Sequence, residues 1–388
     1  FMYQSDKLME NKKILQIFAS RTWGGGEQYV LDLSGKLTEN GYSVFFVSKK
    51  STVIKEKTKG SGKLFFLPLK GIIDLFSPVK LRSIIKQHDI DIVHIHQFKD
   101  AFTTMFTKLI TKKRFKVVLT RHLVKKGKTS YLYNKAYQSI DKIIFVSELA
   151  KNVFLSAEPK VDVSKIEVIH NSVEAIKKLD TIDIDYRKKY NISLNHTILL
   201  FTGRIVKEKG LDVLIKALPK LLSGNYRLLI AGTGDRTYIE ELQQLAAALN
   251  IADKVIFLGF VENIAELIQQ GDIGIMPSVW QEPFGLAALE YMRAGKPVIT
   301  TNNGAQKEFI QSNVTGILIP PSDADILAVE IDNLIINRQL REEIGNNAKM
   351  DKMMRINDYK FKREKKRTRI RGESGEEKYW KKDVVRDC

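Results

Sequence analysis

Short apolar runs alternate with stretches of helical spacing along most of the chain. Residues 13–18 (KILQIF) form an apolar run bounded by polar positions, which predicts a strand. Residues 26–40 place Tyr29, Val30, Leu33 and Leu37 at helical spacing. Further strands are predicted at 42–48, 91–96, 116–120, 142–147 and 165–170, with helical stretches between most of them. Alternation of this kind implies a parallel sheet covered on both faces.

Residues 176–195 are polar and charged, and read as a linker. The alternation then restarts. Strands are predicted at 197–202, 227–231, 254–259, 272–276, 297–300 and 315–319, and helices at 210–222, 236–250, 263–270, 284–294 and 324–337. The expected architecture is two doubly wound, Rossmann-like α/β domains, 1–175 and 196–348, facing a cleft. From 349 to 388 the periodicity is lost, and a basic, poorly ordered tail is expected.

Composition narrows the function classes. The single cysteine, Cys388, excludes a disulfide framework and a cysteine zinc site. No apolar run approaches the ~18 residues of a membrane span, and residues 1–10 lack the apolar core of a signal peptide. A cytoplasmic protein is expected. The net charge of +18 divides into +16 over residues 1–178, −5 over 179–348 and +7 over 349–388. A basic surface commonly meets nucleic acid, anionic lipid or a charged substrate. Nucleic acid is disfavoured, because aromatic platforms and recognised binding modules are missing.

Three segments carry candidate chemistry. Gly24, Gly25 and Gly26 follow a predicted strand and open a helix, where glycines let backbone approach a phosphate. A tight strand-to-helix turn explains them about as well. Arg204 and Lys209 flank a loop after the second domain's first strand, and two cations there can hold a diphosphate. Glu282 and Glu290 bracket Pro283, Phe284, Gly285 and Leu286. Pro283 suits a helix start, the following amides are free for a ligand, and carboxylates accept from sugar hydroxyls.

Together these motifs resemble family-4 glycosyltransferases of the GT-B fold, over about residues 12–347, in particular bacterial enzymes that build lipopolysaccharide, capsule or lipid-linked glycans. The resemblance implies a nucleotide-sugar donor, UDP favoured, in the second domain. The acceptor, a glycan or a lipid-linked glycan, would lie in the first. Arg204 and Lys209 would hold the diphosphate, Glu290 the ribose, and Glu282 with the amides of Phe284, Gly285 and Leu286 the sugar. Gly24 and Gly25 would close on the phosphate, Val261 would lie against the base, and His122 would reach the transferred sugar. Hexose transfer with retention and no metal cofactor is expected. A sugar-nucleotide 2-epimerase shares this design, but works on the donor alone and would not need a basic front half.

Some residues stand outside these motifs. His94 and His96 point to one face of a strand, and His96 could line the acceptor cleft. Asp89-Ile90-Asp91 and Asp183-Ile184-Asp185 match a metal-binding pattern, but one precedes a strand and the other lies in the linker. Residues 108–128 hold nine Lys/Arg and no acid, after an apolar stripe of Phe102, Met105, Phe106, Leu109 and Ile110. Lys112, Lys113 and Arg114 are therefore expected on the acceptor side. They would meet an anionic bilayer, as a peripheral protein of the inner membrane face.

Overall fold

A computed structural model describes residues 12–21, 24–173 and 182–351. The chain divides into two compact units between His170 and Asn171. The tail from residue 352 on, and linker residues 174–181, lie outside the described residues.

The first unit holds β1 (Lys13–Phe18), β2 (Ser43–Ser48), β3 (Lys63–Phe66), β4 (Ile92–Ile95), β5 (Lys116–Arg121), β6 (Lys142–Phe145) and β7 (Ile166–Val168). They form one parallel sheet in the order β3-β2-β1-β4-β5-β6-β7. Alternating side chains serve both faces. Leu15, Ile17, Val93, Ile95, Val117 and Leu119 enter one core, and Ile14, Ile92, Val118 and Ile144 the other. This is why the strands read as continuous apolar runs. Strand β3, four half-exposed residues at the sheet edge, leaves too short a run to read.

The second unit holds β8 (Thr197–Thr202), β9 (Tyr226–Ala231), β10 (Val255–Gly259), β11 (Ile273–Met276), β12 (Val298–Thr301) and β13 (Ile317–Ile319). Their order is β10-β9-β8-β11-β12-β13, again all parallel. In each sheet the winding reverses once, between β1 and β4 and between β8 and β11. Loops leaving such a pair diverge to opposite faces and open a crevice beyond the strands' carboxyl ends.

Two elements differ from the sequence reading. Residues 182–195, expected as linker, are built into the second unit. A short helix, Tyr186–Lys189, is held by Tyr186 N to Gln270 Oε1 (2.9 Å), Ile184 N to Glu266 Oε1 (2.6 Å) and an Arg187–Asp272 ion pair (3.0 Å). Backbone amides, the Arg187 side chain and the buried Tyr186 and Ile192 anchor this segment. A helix also forms over Arg338–Met350. It buries Ile344, Gly345 and Ala348, with Leu340 packed on the same core, and a Cβ on Gly345 would stand 2.2 Å from the Gly295 carbonyl oxygen. Its apolar stripe is one residue wide among charged and polar positions, which makes it hard to read from spacing. No helix among the described residues is long and apolar enough to cross a membrane.

Candidate functional site

The second unit's crevice is built from the loops after β8 and β11. The first loop runs through Gly203 to Gly210, whose φ of +66° favours glycine. A Cβ on Gly210 would lie 2.1 Å from the Pro277 carbonyl oxygen, so the two loops touch through backbone. Val279 N donates to Glu208 O at 2.9 Å. Across this seam the Lys209 ammonium pairs with Glu282 Oε1. Ser278 Oγ donates to the same oxygen at 2.7 Å. Burial opposes ionisation of Glu282, which is 4% exposed, but the Lys209 charge and hydrogen bonds outweigh it and hold the carboxyl below its ordinary range. Arg204 is exposed, and has no ion-pair or hydrogen-bond partner among the described residues.

The helix expected from residue 284 begins at Leu286 and ends at Arg293. Gly285 precedes it with φ +95°. Its first amides have no acceptor within the helix. Beside them Gln306 Oε1 is buried without a partner. The Phe284 side chain is 2% exposed and packs on Phe309 at 5.0 Å between ring centroids. Glu290 is half-buried on the same helix. Its neighbour Tyr291 fixes the helix's rotation. The Tyr291 hydroxyl donates to Leu200 O at 3.0 Å and lies 3.1 Å from Thr202 Oγ1. Its ring covers Gly274, where a Cβ would stand 2.5 Å away.

A cavity of about 370 Å³ opens beyond β9 and β10, lined by Gly232, Thr233, Gly234, Arg236 and Gly259, among others. Val261 is not part of that lining, and Phe260 is exposed. Gly232 and Gly234 escaped the sequence reading. Cβ atoms there would lie 1.7 Å from Gly203 O and 1.9 Å from Ile205 O. The signal was a Gly-x-Gly directly after a buried strand.

In the first unit, Gly24 precedes the helix Gly25–Glu39 with extended backbone. A Cβ on Gly26 would meet nothing within 4 Å. Local packing does not demand glycine at that position.

Three histidines meet at the carboxyl ends of β4 and β5. His96 Nδ1 lies 3.2 Å from His122 Nε2, and its Nε2 lies 2.8 Å from Gln16 Oε1. His94 Nε2 is 2.8 Å from Thr120 Oγ1. The Tyr29 ring stands edge-on to His122 at 4.8 Å. Burial pushes His122 down to about 4 and His94 to about 3, with His122 adding repulsion at His94. His96 falls well below its ordinary value, through burial and then its two histidine neighbours. Gln16, His94, Tyr29 and Thr120 were not singled out as site residues. A lone Gln inside an apolar strand was the available signal.

The basic stretch is placed differently from expectation. Phe102 is buried, Met105 and Phe106 pack on the core, and only Leu109 and Ile110 of that stripe are exposed. Lys112, Lys113 and Arg114 precede β5, at the sheet edge opposite His122, about 16 Å of strand away. Lys113 is paired with Asp89. The Asp-x-Asp segments serve structure. Asp91 accepts from Lys13 N at 2.8 Å, and Asp185 caps the helix Tyr186–Lys189.

Residues 183–351 match the family described as glycosyl transferases group 1, and residues 23–175 match glycosyltransferase family 4. An uncharacterised glycosyltransferase of Methanocaldococcus jannaschii is 33% identical over 279 residues, covering 67% of this chain and 70% of that protein. The N-acetyl-alpha-D-glucosaminyl L-malate synthase of Bacillus anthracis is 25% identical over 342 residues, covering 84% and 88%. Among solved structures, a Rickettsia africae glycosyltransferase superposes with a TM-score of 0.76 at 26% identity, covering 92% of this chain and 100% of that one. Anabaena HepE, in complex with UDP and glucose, gives 0.77 at 22%, covering 87% and 94%. Both units are of the GT-B type, and the chain belongs to the family-4 glycosyltransferases.

Proposed function

We propose that this glycosyltransferase moves a hexose from a UDP-sugar to an anionic or lipid-linked acceptor, with retention of configuration and without a metal cofactor. The observation that carries the reading is the Lys209–Glu282 pair spanning the β8/β11 crevice, with the unpartnered Arg204 on the same loop. Arg204 and Lys209 neutralise the leaving diphosphate. Glu282 and the amides of Gly285 and Leu286 hold the sugar, and Glu290 takes the ribose hydroxyls. The cavity at Gly232 and Gly259 takes the base, with Val261 beyond its rim. Preorganised donors of this kind contribute roughly 3 kcal/mol each to the transition state. His122, with Gly24 and Gly25, meets the transferred group from the first unit. The leaving diphosphate takes the acceptor's proton on the same face.

Relatives support an anionic acceptor by name. One is an N-acetyl-alpha-D-glucosaminyl L-malate synthase, and another is a phosphatidyl-myo-inositol mannosyltransferase of Mycolicibacterium smegmatis. A peripheral position on the inner membrane face fits an apolar loop of the first unit. Ile73, Leu75, Phe76 and Val79 are 55–82% exposed. The buried Asp74 carboxylate pins the loop by accepting from Lys70 N, Ser77 N and Ser77 Oγ at 2.6–2.9 Å. Leaving β3 and entering the helix Phe76–His88, this loop lies on the ligand edge of the sheet, unlike Lys112–Arg114.

The deciding experiment is a thermal-shift screen of UDP- and GDP-sugars with and without EDTA. A UDP-sugar at a hundredfold excess over Kd should add about 2.7 kcal/mol, unchanged by EDTA. No shift with any nucleotide sugar would remove the reading. The anomeric configuration of the product, read by NMR, decides retention.

A further inference from the structure

We propose that the first unit carries a phosphate subsite made by Arg21, Lys49 and Lys99, which takes a phosphate group on the acceptor. This rests on the transfer reading above. Arg21 lies just past β1, Lys49 directly follows β2, and Lys99 lies just past β4. These strands are neighbours in the order β2-β1-β4, spaced about 4.8 Å apart. Three cations therefore leave adjacent strand ends at the point where the winding reverses, on the ligand edge of the sheet. The loops that carry them are tied down. Ser51 Oγ donates to Arg21 O at 2.9 Å, and Ser48 Oγ to Ser20 O at 3.2 Å. Gly71 backs Lys99, since a Cβ there would stand 3.6 Å from the Lys99 Cβ.

The charge at this place is uncompensated. Lys49 and Lys99 are both half-buried. Burial, then the Lys99 charge, then Arg21, push the Lys49 amine down, against a smaller opposing pull from Asp100. None of the three has an ion-pair partner among the described residues. Asp100 does not serve, because both its oxygens are fully buried without any hydrogen-bond partner. Several lysines elsewhere in the unit are paired. Lys108 and Lys116 pair with Asp141, Lys142 with Glu167 and Lys113 with Asp89. Gathering like charges in a half-buried place is unfavourable until an anion joins them, and a phosphate oxygen set accepts from several cations at once. The same loop system carries His96 on β4's end, so the subsite adjoins the histidine cluster.

The test uses the whole chain with saturating UDP, which blocks the diphosphate site. Inorganic phosphate is titrated against chloride at matched ionic strength, with melting temperature as the readout. Phosphate should stabilise the wild type. Lys49→Gln, Lys99→Gln and Arg21→Gln should each weaken its midpoint roughly tenfold, and Lys112→Gln, on the opposite edge, should leave it unchanged. Arg21 is exposed, so its variant keeps the test valid if a lysine variant folds poorly. Without phosphate, Lys49→Gln should melt above the wild type, because a repulsion is gone. An equal phosphate response in the wild type and all three variants, or none beyond chloride, overturns the subsite. Displacement of phosphate by hexose 1-phosphate assigns a soluble acceptor, and displacement by phosphatidic acid vesicles a lipid-borne one. Displacement by neither overturns the acceptor assignment. The UDP shift is read separately, so a failed donor reading is distinguished from a failed subsite.

Discussion

His96 Nδ1 stands 3.2 Å from His122 Nε2, and the other nitrogen of His96 stands 2.8 Å from Gln16 Oε1. A neutral imidazole donates from one nitrogen and accepts at the other. With the Gln16 oxygen accepting from His96 Nε2–H, His96 Nδ1 must accept from His122 Nε2–H. His122 Nδ1 is then left as an acceptor for a ligand hydroxyl. Imidazole nitrogen NMR should find His122 protonated at Nε2 alone at neutral pH. Gln16→Leu should release that preference, and an Nδ1–H form in the wild type would break the relay.

The same cluster gives a pH dependence. The folded pKa values of His94 and His122 lie near 3 and 4, below the unfolded value of about 6.5. Between those limits the unfolded chain binds more protons, so stability falls as pH drops from 6.5 towards 4. A denaturant series across that range should show the slope. His94→Asn should flatten it, and an unchanged slope would mean that His94 titrates alike in both states.

Asp100 acts in the opposite sense. Burial raises its carboxyl to about 8 against the opposing pull of Lys99 and Lys49. The unfolded chain loses that proton near pH 4, so stability falls as pH rises from 4 to 8. Asp100→Asn should gain on the order of 2 kcal/mol at pH 7.5 and little at pH 4. Equal effects at both pH values would show that the carboxyl is ionised in the fold.

Breaking the buried Lys209–Glu282 pair leaves one charge uncompensated. Glu282→Gln and Lys209→Met should each cost about 3 kcal/mol in chemical denaturation. On the proposed reading, which sets the carboxylate against the sugar, Glu282→Gln should weaken UDP-sugar more than UDP. Equal losses for both ligands would move Glu282 away from the sugar.

Vesicle sedimentation tests the proposed membrane contact. The double change Leu75→Glu with Phe76→Glu should reduce sedimentation with phosphatidylglycerol vesicles while the melting point holds, because both side chains are exposed. Charge reversal at Lys112, Lys113 and Arg114 should have the smaller effect. The reverse ranking would return the contact to the basic stretch.

Local patterning made both sheets legible, because buried parallel strands such as Thr197–Thr202 are apolar throughout. The site was legible where chemistry clusters in sequence, as at Glu282 to Glu290. It was not legible where residues meet across strands. Gln16, His96 and His122 come from three strands, and Arg21, Lys49 and Lys99 from three loops. The stripe from Phe102 to Ile110 reads as a surface face because spacing alone does not tell a core-facing helix side from an exposed one. Phe102 shows the difference.

On the proposed reading, the Tyr291 ring lying on Gly274 ties donor recognition at Glu290 to a position inside a buried strand. Any side chain at 274 must displace that ring and turn the helix, and Glu290 swings with it. A selection for variants with altered sugar preference should therefore recover changes in the middle of a buried strand. Evolution of this scaffold can retune its donor from behind, by shimming the helix, while every group that faces the ligand stays the same.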